Sequence, residues 1–476
     1  MIGRTLLLAA ASLVSLGAGA ADYTIVVSSA TDADPAWSKV VQSLVRQHAG
    51  SVIHFTNEVA QSLESLRAAK PRAVCFVAQP QEASLAFVVQ VHRLTRKLDA
   101  DPYPDCRWGI LTGLDASDAL RIAETPGPLV IRRVAGGTEF ALEPVSEAVW
   151  FDEMKAGHVV KKSADGKLQE TKGTNDTTAD IVSTLSNWKP ELFITSGHAT
   201  QRGWQIGYGF EGGFLLSTNG HLVAKDPTGK FTEVWSGHPK VYLPVGNCLM
   251  GHIDGPDAMA LAWMHSAGVR QMTGYVMDTW YGYAGWGVMD YFVEQPGRFS
   301  LAEAFQANNI ALIDRLVRFF PKLAALESPE DADMKNAELT RLGPAAQAEG
   351  LATKDGFGLL YDRDFQAFYG DPAWDARLAP GPCRWKQALR REGDEFVFEV
   401  HPLRAAETFA PVSTNGSQRG GRPVIQFFTD RIGKATVTAG AEWNPVITDD
   451  FILVPAPKPK DPVRDIVIRF KAAKAP

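Results

Sequence analysis

Residues 241–276, VYLPVGNCLMGHIDGPDAMALAWMHSAGVRQMTGYV, decide the fold. The run 241–245 is short and apolar, as buried strands are, while Pro244 argues against a central position because proline cannot donate to a ladder. Asp257 offers a helix N-cap, Met259, Leu261, Ala262 and Met264 supply the apolar positions inside, and Gly268 stands just past the end. A second strand over 270–276 follows. Strand, helix and strand in this order demand a parallel crossover, since antiparallel neighbours need only a tight turn.

Working outward, Leu192, Phe193 and Ile194 form another buried strand behind a polar stretch, 151–187, that reads as a surface excursion leading into a helix. Residues 201–239 look like a hairpin excursion and not a crossover helix. Near the N-terminus, strands over 23–27, 52–55, 72–78 and 106–111 alternate with helices over 37–48, 59–69 and 86–98, which predicts a parallel α/β layer. Downstream, Ser300 with Glu303 is a capping box that opens a helix to about Phe320, and the charged, Ala-rich stretch 327–347 is expected to be exposed helix. After Pro380-Gly381-Pro382, alternating runs at 395–400, 424–428, 451–454 and 466–470 predict a small β-sandwich. The expected division is a signal peptide at 1–20, an N-terminal α/β subdomain at 21–150, a catalytic domain at 151–382 and a β-sandwich at 383–476.

Composition narrows the function classes. The 476 residues are 45% hydrophobic and 21% charged, ordinary for a globular chain. A formal charge of −6 gives no general attraction to nucleic acid. Arg4, the apolar run 6–16 and Ala18-Gly19-Ala20 have the form of a secretory signal peptide, so the mature chain is expected to be exported to the periplasm, cell surface or medium. Nothing later is long and apolar enough to predict a membrane span. Four cysteines (Cys75, Cys106, Cys248 and Cys383) are too few for a disulfide framework in a chain of this length, and Cys75 sits in an apolar run as a buried strand thiol.

Chemistry concentrates where two strands end. Phe193-Ile194-Thr195-Ser196-Gly197-His198-Ala199 and Tyr242-Leu243-Pro244-Val245-Gly246-Asn247-Cys248 each put a reactive residue directly after an apolar run. In an open parallel sheet the carboxyl ends of strands collect ligands and catalytic groups. A thiol is mostly protonated near neutral pH, so a nucleophilic cysteine needs a base or a positive potential beside it, and an imidazole provides both. Gly207-Tyr208-Gly209-Phe210-Glu211-Gly212 spells a dinucleotide fingerprint, but strand and turn follow it in place of the helix that would hold a phosphate. His252 and Asp254 lack the spacing of a zinc site, and no Gly-x-Ser-x-Gly elbow is present, so no metal ligands are assigned.

These two segments resemble the gingipain family of caspase-like cysteine peptidases, in which one strand ends in His-Gly and a later one in a small residue followed by Cys. Residues 257–274 are similar to the helix and strand that follow the nucleophile there, and Phe368-Tyr369-Gly370-Asp371-Pro372-Ala373 resembles the segment that closes the catalytic domain. The resemblance implies a caspase-like three-layer α/β sandwich with a mostly parallel sheet, followed by an immunoglobulin-like β-sandwich. It implies a cysteine endopeptidase acting on proteins or peptides, with Cys248 attacking the scissile carbonyl, His198 protonating the leaving amine, and the N–H groups of Ala199 and Cys248 forming the oxyanion hole. Asn247, Asp278 and Trp280 are the expected substrate contacts, and Asp105 and Glu153 are candidates for orienting His198. No organic cofactor is implied; structural calcium is a family trait, for which Asp99, Asp101 and Asp105 offer oxygen ligands. Two departures, Ala199 in place of Gly and Asn247 in place of Ala or Gly, sustain an alternative: a weak or inactive relative serving as a binding or surface-assembly module.

Overall fold

The computed structural model describes residues 22–413, 415–458 and 462–474, so the expected signal peptide lies outside the described residues. The body is one twelve-stranded sheet. Its strands are β1 (Tyr23–Ser28), β2 (Ser51–Phe55), β3 (Ala73–Val77), β4 (Arg107–Leu111), β5 (Arg133–Gly137), β6 (Glu147–Phe151), β7 (His158–Lys162), β8 (Leu168–Lys172), β9 (Leu192–Gly197), β10 (Lys240–Asn247), β11 (Val269–Tyr275) and β12 (Gln366–Tyr369). Their order across the sheet is β2-β1-β3-β4-β12-β11-β10-β9-β5-β6-β7-β8. The strands from β2 to β12 run parallel to their neighbours, as do those from β11 to β6; the two sets meet antiparallel where β12 pairs with β11. Two parallel halves of opposite direction thus share a single sheet.

The helices used below are α1 (Pro35–His48), α2 (Leu85–Thr95), α3 (Met259–His265), α4 (Tyr283–Phe292) and α5 (Leu301–Phe319). Every residue of β1, β3 and β11 is buried, which requires cover on both faces; β3 is accordingly apolar throughout, whereas β11 also buries Arg270, Gln271 and Thr273. The Ser300–Glu303 capping box forms as expected and starts α5. The crossover from β10 through α3 to β11 is parallel, as the order of elements demanded.

Several expectations need correction. β10 is central, between β11 and β9, despite Pro244. The ladder shifts register there, pairing Thr195 with Pro244 and then Ser196 with Gly246, so an irregularity absorbs the missing donor. Asp257 does not cap α3, which begins after Ala258; its carboxylate instead accepts from the Asn219 N–H at 2.6 Å, a tertiary partner displacing the local one. Residues 327–347 hold only the short turns Pro329–Asp331, Ala337–Thr340 and Pro344–Ala348, because a proline that starts one helical turn cannot sit inside a longer helix. The polar stretch after 151 adds the antiparallel hairpin β7–β8 to the sheet edge before its helix begins at Thr178. Residues 199–233 do form an antiparallel excursion, five short strands in sequence order.

Beyond Pro382 the chain forms two antiparallel sheets, one four-stranded and one three-stranded, a coarser result than the expected immunoglobulin-like sandwich. In the three-stranded sheet the pleat divides its residues between two cores. Val424, Ile452 and Val454 pack with Phe398 and Ile468 of the four-stranded sheet, whereas Ile425, Phe451 and Leu453 belong to the main core. The C-terminal region is therefore anchored to the α/β body by apolar burial. Among the described residues, no helix is long and apolar enough to cross a membrane.

Candidate active site

β9 and β10 are parallel neighbours whose last register pair is Gly197 with Asn247. Neighbouring strands lie about 4.8 Å apart, so the next residue on each, His198 and Cys248, leaves the sheet at the same level. Both line one groove of about 540 Å³, together with Glu153, Tyr208, Trp280 and Trp286. His198 is exposed and Cys248 partly exposed.

The strand tips are riveted by a side chain assigned a different role from sequence. Asn247 is completely buried and does not line the groove. Its Oδ1 accepts from Thr195 Oγ1 at 2.7 Å and its Nδ2 donates to the Gly197 carbonyl at 2.9 Å, which ties β10 to the end of β9. A small residue here would leave Thr195 and the Gly197 carbonyl without these partners. The expected contact between Asn247 and substrate is thus replaced by a contact within the sheet.

The sulfur is held as well. The Thr279 N–H donates to Cys248 Sγ at 3.2 Å, and the Thr279 hydroxyl donates to the Asn247 carbonyl at 3.1 Å. Cys248 Sγ also faces the Thr279 carbonyl at 3.8 Å, so one residue's backbone brackets the sulfur. The turn beyond is stapled to the end of β11: the Leu249 N–H donates to the Met277 carbonyl and the Gly251 N–H to the Tyr275 carbonyl.

The imidazole is positioned by stacking. Tyr208 lies on the His198 ring, centroids 5.0 Å apart and planes 20° from parallel. Tyr208 is itself fixed by its N–H, which donates to the Glu153 carbonyl at 2.6 Å. The Glu153 carboxylate, pushed above its ordinary value by burial, accepts from Thr138 Oγ1, the Glu139 N–H and Trp150 Nε1 at 3.0–3.2 Å. Glu153 therefore bears on His198 through Tyr208. Asp105, the other candidate, lies by Arg431 and Asp450 around a separate cavity.

Ala199 opens the edge strand of the antiparallel excursion, opposite Trp204. Because the Gln205 N–H donates to the His198 carbonyl, Ala199 and Trp204 form a non-hydrogen-bonded pair. The Ala199 N–H consequently points away from the ladder, and Ala199 lines the groove. Trp280 also lines it, half exposed. Asp278 does not: it is exposed, and its carbonyl accepts from the Tyr361 hydroxyl at 3.0 Å.

The structure thus brings together Cys248, His198, Ala199 and Trp280, and leaves Asn247 and Asp278 outside the groove. The loop 278–286 after β11, expected from the sequence to line the substrate pocket, contributes Thr279, Trp280 and Trp286; sequence reasoning missed Tyr208 and a stretch of the C-terminal region, Asn415 to Ser417, that lines the same groove. Tyr208 had a signal: the glycines of 207–212, rejected as a phosphate loop, mark the tight turn that lays it on His198.

No protein-family model matches the chain, and no curated protein does. Among solved structures, the crystal structure of the Arg specific cysteine proteinase gingipain R matches over 95% of this chain and 97% of that one, at 10% identity and a TM-score of 0.41.

Proposed function

We propose that the chain is an exported cysteine endopeptidase with a caspase-like arrangement of its sheet and helices. The observation that carries this reading is the register of β9 and β10, which sends His198 and Cys248 from adjacent strand tips into one groove. Export is supported by the N-terminal pattern of Arg4, the apolar run and Ala18-Gly19-Ala20.

In this reading the Cys248 thiolate adds to the scissile carbonyl carbon; the S–C bond forms as the C=O π pair moves onto oxygen. The N–H groups of Ala199 and Cys248 receive that charge. The C–N bond then breaks as the oxyanion collapses, and the amine leaves with a proton from the His198 imidazolium. Water attacks the thioester, His198 takes its proton, and the C–S bond breaks to return thiolate and a carboxylic acid. Thr279 holds the sulfur in place before attack. Asn247 and Tyr208 are positioning residues.

Calcium would act on structure, away from the groove. Carboxylate oxygens of Asp99, Asp105 and Asp449 lie within 4.8 Å of one another. Asp105 is 95% buried, since 5% of it is exposed, and its Oδ2, like Asp449 Oδ1, has no partner. Two unpartnered buried oxygens beside Asp99 offer ligands to a hard cation, while Arg431 pairs with the other Asp449 oxygen at 2.8 Å and donates to the Asp105 carbonyl. Asp101 is outside this trio, its Oδ1 accepting from the Tyr103 N–H at 2.8 Å.

Alkylation with iodoacetamide at neutral pH tests the thiol assignment. Fast modification confined to Cys248 and slowed in His198→Ala is expected. Equal, slow modification of Cys248 and Cys383, unchanged in that variant, contradicts the enzyme and favours the binding module.

A further inference from the structure

Met154, Tyr208 and Trp280 are each more than half exposed, at 52%, 53% and 51%, and all three line the groove that holds Cys248. Apolar side chains of this size are rarely gathered on a surface without a partner. Behind them stands Trp286, 5% exposed, from the first turn of α4.

The indole of Trp286 is covered from the C-terminal region. Gly416 has a φ of +100°, and a Cβ built on it would lie 2.4 Å from the Trp286 ring, so only glycine lets the backbone rest on the indole. This segment is tied to α4 and the residues just after it. Arg419 Nε pairs with Asp290 at 2.7 Å, and its Nη2 pairs with Glu294; Arg422 Nε pairs with the other Asp290 oxygen at 2.9 Å. All four side chains are at least 92% buried, with 3–8% exposed, and two guanidiniums balance two carboxylates. Ser417 Oγ also donates to the Tyr281 carbonyl at 2.9 Å, beside Trp280. Such a network fixes one geometry, since breaking any pair strands a buried charge.

Charge at the groove points the same way. Its one acidic lining residue is Glu153, whose oxygens already accept three hydrogen bonds from the protein, and Asp278 lies outside. A Lys or Arg side chain entering here would be desolvated without an anion to meet it.

Resting on the peptidase reading, we propose that the groove selects a large apolar or aromatic side chain next to the scissile bond, held against Trp280, with the Gly416 backbone that covers the Trp286 indole forming one wall. The catalytic unit therefore includes the segment around 415–422. Specificity is set by two parts of the chain far apart in sequence.

The test uses the full mature chain and peptidyl chloromethyl ketones that differ only in the residue bearing the ketone: Phe, Leu, Ala, Arg or Lys. Attack by Cys248 forms an S–C bond and releases chloride, so labelling is read by intact-protein mass. Phe and Leu reagents are expected to label Cys248 at least about 10-fold faster than Ala, Arg or Lys reagents. In Trp280→Ala the Phe-to-Ala ratio falls roughly 10-fold, and Gly416→Ala, which presses on Trp286, shifts preference toward the Ala reagent. Faster labelling by Arg or Lys reagents, or an unchanged Phe-to-Ala ratio in Trp280→Ala, overturns the apolar assignment while leaving the peptidase reading intact. Failure of every reagent to favour Cys248 over Cys383 overturns both.

Discussion

Cys75 and Cys248 sit in the two parallel halves of one sheet, and their places along the strand put one thiol in the interior and the other at a groove. Cys75 is in the middle of β3, fully buried, its thiol pushed well up by burial and by the nearby Asp371 carboxylate. Cys248 stands one residue beyond the end of β10, partly exposed, with a backbone N–H aimed at its sulfur. The same α/β construction hides one and presents the other. Chemistry here is a property of strand ends, and the strands beneath supply rigidity.

The sharpest break of this comparison exchanges the two thiols' consequences. Cys248→Ala should abolish peptide hydrolysis, by about 10,000-fold or more, and leave the melting temperature unchanged. Cys75→Ala should keep the activity and lower stability by about 1–2 kcal/mol through the lost buried sulfur. A peptide-cleavage assay run beside thermal melts reads both. Next in size is His198→Ala, expected to reduce kcat by about 100- to 10,000-fold with little effect on melting. Asn247→Ala joins the two columns: losing the Thr195 and Gly197 contacts should cost about 2 kcal/mol and also lower kcat, because the strand tips lose their rivet. Denaturant melts and steady-state kinetics check it, and loss of stability alone would reduce Asn247 to packing.

The smallest expected effect lies in the N-terminal half. Burial, followed by the neighbouring carboxylates of Asp99 and Asp101, pushes Asp105 up to about 9, and burial pushes Asp450 up to about 7. An acid whose pKa is raised on folding binds its proton more tightly in the folded state. Its contribution is full below the ordinary carboxylate value and is lost as pH rises through the folded value. The melting temperature should therefore fall between pH 5 and pH 9, by a few degrees. Calcium should restore it more at pH 8 than at pH 5, and Asp105→Asn should flatten both trends. Differential scanning calorimetry with and without calcium measures this, and an equal calcium effect at both pH values contradicts the assignment.

What the sequence made legible follows from distance along the chain. Strands buried on both faces tend to show as apolar runs, so β1, β3, β9 and β10 could be read directly, as could the Ser300–Glu303 box; β11, which buries Arg270, Gln271 and Thr273, was placed by the helix and Gly268 before it. His198 and Cys248 were visible because each follows such a run. Pro244 misled because a register irregularity between two strands repairs what a single strand cannot. Asp257 misled because Asn219, distant in sequence, takes its carboxylate. The loop holding Thr279 was expected at the pocket, but its contact with sulfur is made by a backbone N–H, which any residue type carries and no sequence pattern marks. Gly416 is held at the groove by ion pairs of Arg419 and Arg422 with Asp290 of α4 and Glu294 just after it, more than 120 positions away, and by Ser417 on the Tyr281 carbonyl; no local pattern announces those.

The central claim is geometric: sulfur and imidazole leave adjacent strand tips into one water-reachable groove. A crystal structure of the chain after reaction with a peptidyl aldehyde tests it most directly. A single adduct on Cys248 Sγ is expected, its oxygen within hydrogen-bond distance of the Ala199 and Cys248 N–H groups, and the His198 ring facing the adduct from its stack on Tyr208. An adduct on another cysteine, or a His198 ring turned out of the groove with the Cys248 adduct in place, would contradict it.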